Sequence, residues 1–337
     1  MQAATGSKPW IGRHLLTLEP QFRERIWGGH RLRAANPPIG EAWIAYGGSQ
    51  IQSGPFAGST LDELVEKEAE AVLGSAVLGR YGKRIPMLIK LLDCADWLSL
   101  QVHPNDEQAR RMVGPNAFGK TEAWYFLDTD PEARILLGVK PGTTPDSLAA
   151  AIRAGRALDV AQEVDVQAGE AVLIPAGTLH ASGPGLFIYE IQQASDITYR
   201  AYDWDRPETA ERKLHIEESA EVAQAVGPLP RSRPLVGPDC ACDCAGEYGS
   251  FELQLCAVGE TPLASDTAGL SFHVITAIEG TVRVRCGAEM TELAPYETAF
   301  IPAAAGEYEI AAKETSARVL RARVPDGSPA AFRPGSR

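Results

Sequence analysis

Apolar residues along the chain fall mostly into short runs, such as "ARILLGV", "EAVLIPA", "GLFIYEIQ", "FELQLCAV" and "TVRVRCG", set apart by Gly, Pro and Asp. Runs of this length bounded by turn residues predict strands, so the chain is expected to be mainly β. Helical periodicity is confined to fewer places. Thr60 to Leu78 has Ser59 or Thr60 as a cap with Glu63 behind it, and Glu107 to Val113 and Pro145 to Ala154 follow the same spacing. The proline-rich stretch Gly227 to Asp239 carries no periodic apolar face and reads as a linker.

A similar pattern recurs on either side of that linker. "VQAGEAVLIPAGTLHAS", Val166 to Ser182, matches "LAPYETAFIPAAAGEYEI", Leu293 to Ile310, with Pro175 on Pro302 and His180 on Glu307. No other histidine lies near Glu307 in the sequence. A strand, a Pro-Ala turn and a second strand are what an antiparallel barrel or jelly roll supplies. Two modules are therefore expected, over residues 1–226 (with helical insertions) and 246–337, joined by a linker at 227–245.

Composition is that of an ordinary globular protein: 337 residues, 45% hydrophobic and 23% charged. No apolar run is long enough to span a bilayer, and the start "MQAATGSKPWIGRH" lacks the apolar core of a secretory signal, which points to the cytoplasm. Cys240, Cys242 and Cys244 in "CACDC" lack the paired spacing of structural zinc sites, so incidental linker cysteines are the expectation. A net charge of -12 argues against nucleic acid or an anionic membrane as partner. A small anionic substrate stays open, provided that a few cations are concentrated at its site.

Candidate chemistry begins at "LSLQVHPNDE". Strand alternation puts Gln101 and His103 on one face and Leu100 and Val102 on the other, with Pro104 ending the strand. Alone, His103 is either a satisfied core histidine or a metal ligand. In "GKTEAWYFLD", Lys120, Glu122, Trp124 and Phe126 share a face, and Lys120 with Glu122 could equally be an ion pair on a solvated strand. "IPAGTLHA" adds His180 after a Pro-Gly corner. Two imidazoles, one carboxylate and an amide form a donor set that suits zinc or a similar divalent ion with positions left open. In "YEIQQASDITYRAYDWDR" an extended chain would align Asp196, Thr198, Arg200 and Tyr202. Arg200 could hold charge developing on a substrate oxygen or pair with Asp196.

Together with "WGG" (Trp27 to Gly29), "PIGEAW" (Pro38 to Trp43), "PMLIKLLD" (Pro86 to Asp93) and "KLHI" (Lys213 to Ile216), these segments resemble the type I phosphomannose isomerases, in particular their compact bacterial branch. The resemblance implies two cupin-like jelly-roll modules, a metal-bearing one and a second, metal-free one. It implies one Zn2+ per chain, another divalent metal being possible, on His103, Glu122 and His180, with Gln101 either a fourth ligand or a neighbour of the metal. Arg200 falls where the family has its catalytic arginine, and Lys120 and Asp196 where it keeps residues of the sugar-phosphate pocket. The implied reaction interconverts mannose 6-phosphate and fructose 6-phosphate through a cis-enediol. Asp196, a zinc-bound water and Lys120 are the candidate general bases, and Lys120 is also a candidate for phosphate. A same-chemistry isomerase for another sugar or sugar phosphate and a non-catalytic metal-dependent sugar-binding cupin are the alternatives. The expected partner is a small sugar phosphate, with no nucleic acid and no membrane, in a monomer or homodimer.

Overall fold

The computed structural model describes residues 10–209, 212–227, 229–232 and 249–325. Cys240, Cys242, Cys244 and most of the expected linker lie outside the described residues. The chain is mainly β, and it divides into two compact units.

One unit comprises residues 22–43 and 88–233. Its larger sheet runs in the order Arg231–Ser232, Ala171–Ile174, Glu122–Thr129, Leu186–Gln193, Met87–Cys94, Gln21–Gly29, Ile39–Ala45. Its smaller sheet runs Tyr199–Tyr202, Leu100–Val102, His180–Ser182, Arg134–Val139, Ala161–Asp165. Leu92, Trp124, Phe126, Val172 and Ile188 of the first pack against Ile135 and Leu137 of the second, so the core lies between the sheets. Antiparallel alternation accounts for this, since each strand sends every second side chain inward. Arg231 and Ser232, expected in the linker, instead extend the sheet edge by pairing with Val172 and Ala171.

The other unit gathers the described residues 249–325 with residues 10–21 and 44–87. A boundary at 226 would leave those two N-terminal stretches with the first module; here Leu16 and Thr17 pair with Phe300 and Ala299, adding an edge strand to the C-terminal sheet. That sheet runs Leu16–Thr17, Thr298–Ile301, His273–Glu279, Ala317–Arg323, Glu252–Val258, and faces Leu263–Asp266, Glu307–Ala312, Val282–Cys286, Glu289–Leu293. The helix expected over Thr60 to Leu78 is two, Leu61–Leu73 and Ser75–Tyr81. Thr60 and Glu63 form the anticipated capping box. The break falls at Gly74, whose φ of 88° and 2.4 Å clearance from the Leu270 backbone admit no side chain.

The two units repeat one strand order, which identifies equivalent positions. Glu122 pairs with Ile174, just before Pro175; His273 pairs with Ile301, just before Pro302. His273 therefore stands where the first unit has Glu122. Glu307, aligned with His180 by sequence, is exposed, while the next residue, Tyr308, turns inward and its hydroxyl meets His273 Nδ1 at 2.7 Å. The second module thus does hold a buried histidine here, brought from an earlier strand. Burial, with Arg321 and Arg323 nearby, pushes its imidazole down to about 3. Among the described residues no helix is long and apolar enough to cross a membrane.

Candidate metal centre and cleft

Three strands of the first unit's smaller sheet bring Arg200, Gln101 and His180 into register as neighbours in a row. Cross-strand partners share a face, so the row spans about 10 Å at the usual strand spacing. His103 follows two residues after Gln101, and Glu122 arrives from the opposite sheet. The ligating atoms of His103, Glu122 and His180 all lie within 4.8 Å of one another, and all three residues are buried. As alternation predicts, Lys120 is on the same side as Glu122, with Nζ 2.6 Å from Oε2 and 3.1 Å from His103 Nε2. The pair is not on a solvated strand: Lys120 and Glu122 are 3% and 0% exposed.

The outer nitrogens of the two rings are committed. His103 Nδ1 donates to the Ile197 carbonyl at 2.8 Å, and His180 Nδ1 to the Thr178 carbonyl at 2.9 Å. Both Nε2 atoms are then lone pairs, and they face the carboxylate at 3.4 and 3.1 Å. Glu122 Oε1 is buried without a hydrogen-bond donor. The Lys120 ammonium already balances the carboxylate, and two imidazole nitrogens converging with a carboxylate in a dry space form a donor set that fits a divalent metal such as zinc. Burial, then the ammonium of Lys120, push His103 down to about 3, so the ring stays neutral and able to ligate. Against the upward push of burial, Lys120 and the two imidazoles hold Glu122 well below the usual carboxylate range. Gln101 presents Nε2 to His180 Nε2 at 3.3 Å, and a half-turn of its amide would present the oxygen instead.

The cluster borders a cleft of about 500 Å³ whose lining includes Gln101, Lys120, Asp196, Thr198 and Arg200. Tyr202, expected on the same face, is not in the lining. A register shift between Arg200 and Tyr202 turns it toward Trp204, 5.5 Å between ring centroids. Arg200 forms no ion pair with Asp196, and its buried Nε has no hydrogen-bond partner. Burial and the Arg212 guanidinium lower its affinity for the proton.

Other lining residues escaped the sequence reading. Lys90 and Glu190 form a buried pair at 3.1 Å, and Trp124 Nε1 donates to Glu190 Oε1 at 3.0 Å. Glu190, then Glu41, keep Lys90 above the ordinary lysine range despite burial. Glu41 in turn receives two bonds from Arg25 at 3.0 Å and one from Trp43 at 2.8 Å. A signal existed: a charge in the middle of the apolar runs "MLIKLLDC" and "LFIYEIQQ", both buried along their whole length, needs a partner. Arg212, Lys213 and His215 also line the cleft; the last two fall in the "KLHI" segment of the family resemblance, which gave them no role.

The profile of "Phosphomannose isomerase type I, catalytic domain" matches residues 15–135. The mannose-6-phosphate isomerase ManA of Bacillus subtilis (strain 168) is 34% identical over 312 residues, 88% of this chain and 95% of that protein. The chain belongs to the type I phosphomannose isomerases. A second member, the probable mannose-6-phosphate isomerase GmuF of the same organism, is 39% identical over 221 residues, 62% of this chain and 68% of that protein. Among solved structures, the mannose 6-phosphate isomerase of Bacillus subtilis superposes with a TM-score of 0.72 at 26% identity, covering 91% of this chain and 99% of that one. The chain is thus an enzyme of the phosphomannose isomerase family with a cupin-type fold.

Proposed function

We propose that the protein interconverts mannose 6-phosphate and fructose 6-phosphate in this cleft, with zinc held by His103, Glu122 and His180 and Gln101 at its edge. The observation that carries the reading is the set of three buried acceptors aimed at one another beside a cleft with cations on its walls. Bound there, the metal supplies Lewis acidity toward the carbonyl and hydroxyl oxygens at C1 and C2 of the opened sugar. Lys120, already an ammonium donor to Glu122, has no lone pair to act as a base; it holds positive charge against the substrate oxygens. Arg200, with its buried Nε unpartnered among the described residues and one strand from Gln101, neutralises the developing enediolate. Asp196 lies on the cleft wall with no ion pair among the described residues, and it takes the proton from C2 and returns it at C1 of the cis-enediol.

A coupled assay for fructose 6-phosphate formed from mannose 6-phosphate, before and after chelation and with zinc restored, tests the reading. Chelation is expected to abolish turnover and zinc to restore it, and His103→Ala or His180→Ala should lose both metal and activity while staying folded. Either variant retaining full metal content and normal turnover would remove these residues from the site. Restoration by another divalent ion but not by zinc would replace the metal and leave the ligands.

A further inference from the structure

Two adjacent amides, Gln192 and Gln193, close the Leu186–Gln193 strand. Beyond them residues 194–198 lie in no strand or helix, and they carry Asp196 and Thr198 into the cleft. A stretch with no ladder of its own is held by whatever else bonds its backbone. Gln192 is the cross-strand partner of Glu122, so its side chain shares the inward face with the ligand carboxylate, and it is fully buried. Its Nε2 donates to the Gln193 carbonyl at 3.1 Å and to the Ser195 carbonyl. Ser195 N also donates to the Gln193 carbonyl, at 2.6 Å, which closes a tight turn. Gln193, on the opposite face, accepts from Thr121 N at 2.9 Å and donates to Asp106 Oδ1 at 3.0 Å, anchoring the strand end from outside.

The Gln192 amide has one workable orientation, because turned over its oxygen would face two carbonyl oxygens. Oε1 therefore points away from the turn, and it is buried with no hydrogen-bond donor among the described residues. An unsatisfied buried acceptor costs stability, and a methionine of the same length would avoid that cost, so folding alone does not account for an amide here. The placement of the segment beyond it does. After Ser195 comes Asp196, near enough to Lys90 and Arg200 to be attracted by both, yet in no ion pair among the described residues. Ile197 follows, and its carbonyl accepts from His103 Nδ1 at 2.8 Å. One tethered backbone thus sets both where a carboxylate stands and which way a ligand imidazole turns.

We propose that Gln192 is a positioning residue for the isomerisation: by gripping the Gln193 and Ser195 carbonyls it holds residues 194–198 so that Asp196 stays clear of its neighbouring cations and His103 keeps Nε2 turned toward Glu122. The inference rests on the role proposed for Asp196 and extends it to the residue that keeps that carboxylate available. Without the tether, attraction would draw Asp196 onto Lys90 or Arg200, and a carboxylate paired in that way is a weaker base.

The test compares the zinc-loaded wild type with Q192M, which removes the donor at constant length, and Q192N, which keeps the amide but is too short to reach both carbonyls. Both variants are expected to lower kcat for mannose 6-phosphate about 10- to 100-fold with KM changed less than about threefold, and to raise the zinc dissociation constant, read by chelator competition, about tenfold. Hydrogen exchange in chelator should quicken at residues 194–198 and keep the wild-type rate at residues 186–191, a pattern that a general loss of core packing would not give. A folded variant with kcat and zinc affinity both within about twofold of the wild type would overturn the assignment, as would faster exchange spread along the whole strand. If one variant fails to fold, the other carries the same readouts. Absence of turnover in the wild type would instead strike at the proposed function, and zinc affinity and exchange would still decide the role of Gln192.

Discussion

Glu122 is the one carboxylate at the centre of the ligand cluster, and Glu122→Gln tests the electrostatics of the site without altering its shape. In the folded protein its Oε2 lies 2.6 Å from the Lys120 ammonium, with both side chains buried. Replacing the carboxylate by an amide leaves that ammonium beside the neutral His103 imidazole with no counter-charge. Breaking a buried pair from one side costs about 3–5 kcal/mol, because the remaining charge is neither solvated nor paired. Urea unfolding in chelator, which keeps metal binding out of the comparison, should show that loss for E122Q. The double variant K120M/E122Q removes both charges and should recover at least half of it, a coupling that a double-mutant cycle reads directly. Metal content measured on the chelator-free protein should fall in both variants. A single-variant loss below about 1 kcal/mol, or a double variant no more stable than the sum of the single losses, would refute the view that Lys120 and Glu122 are a dry, mutually dependent pair.

Two further outcomes concern the fold. His273 titrates near 3 when folded and near 6.5 when unfolded, so only the unfolded chain takes up the proton between those values; stability is full above about pH 6.5 and falls as the pH drops toward 3. Between pH 7 and pH 5, urea unfolding of the wild type in chelator should lose about 2 kcal/mol more than that of His273→Gln, and equal pH slopes would refute the assignment. In "WGG", a Cβ on Gly28 would meet Gly40 N at 2.5 Å and Ile39 C at 2.7 Å, backbone atoms that cannot swing aside. Gly28→Ala should therefore lower stability by about 1–3 kcal/mol in thermal unfolding, whereas an unchanged midpoint would mean that the Gln21–Gly29 and Ile39–Ala45 strands can separate without cost.

Much of the ligand cluster was legible because side-chain parity is local. Gln101 and His103, and likewise Lys120 and Glu122, share a face by the two-residue period of an extended chain, whatever the strand pairs with. The same parity failed at Tyr202, where one register shift reversed it. Capping was legible for the same reason at Thr60 with Glu63, which need only be three residues apart; the matching box of Asn105 with Gln108 at the head of the Asp106–Met112 helix went unread. The kink at Gly74 was not, since it answers to the backbone of Leu270, far along the chain.

By itself, then, the sequence determined a mainly β chain of two related modules, the faces of its strands, and the residue types able to hold a metal. Tertiary structure alone decided who meets whom. It placed residues 10–21 and 44–87 with the C-terminal sheets, stood His273 where the first module has Glu122, and joined Lys90 to Glu190 and Arg212 to Asp203. The physical reason is one of range. Backbone geometry sets which way a side chain points within a few residues, whereas the partner of a buried charge is set by the pairing register of strands remote in sequence, and that register is chosen by the packing of the whole core.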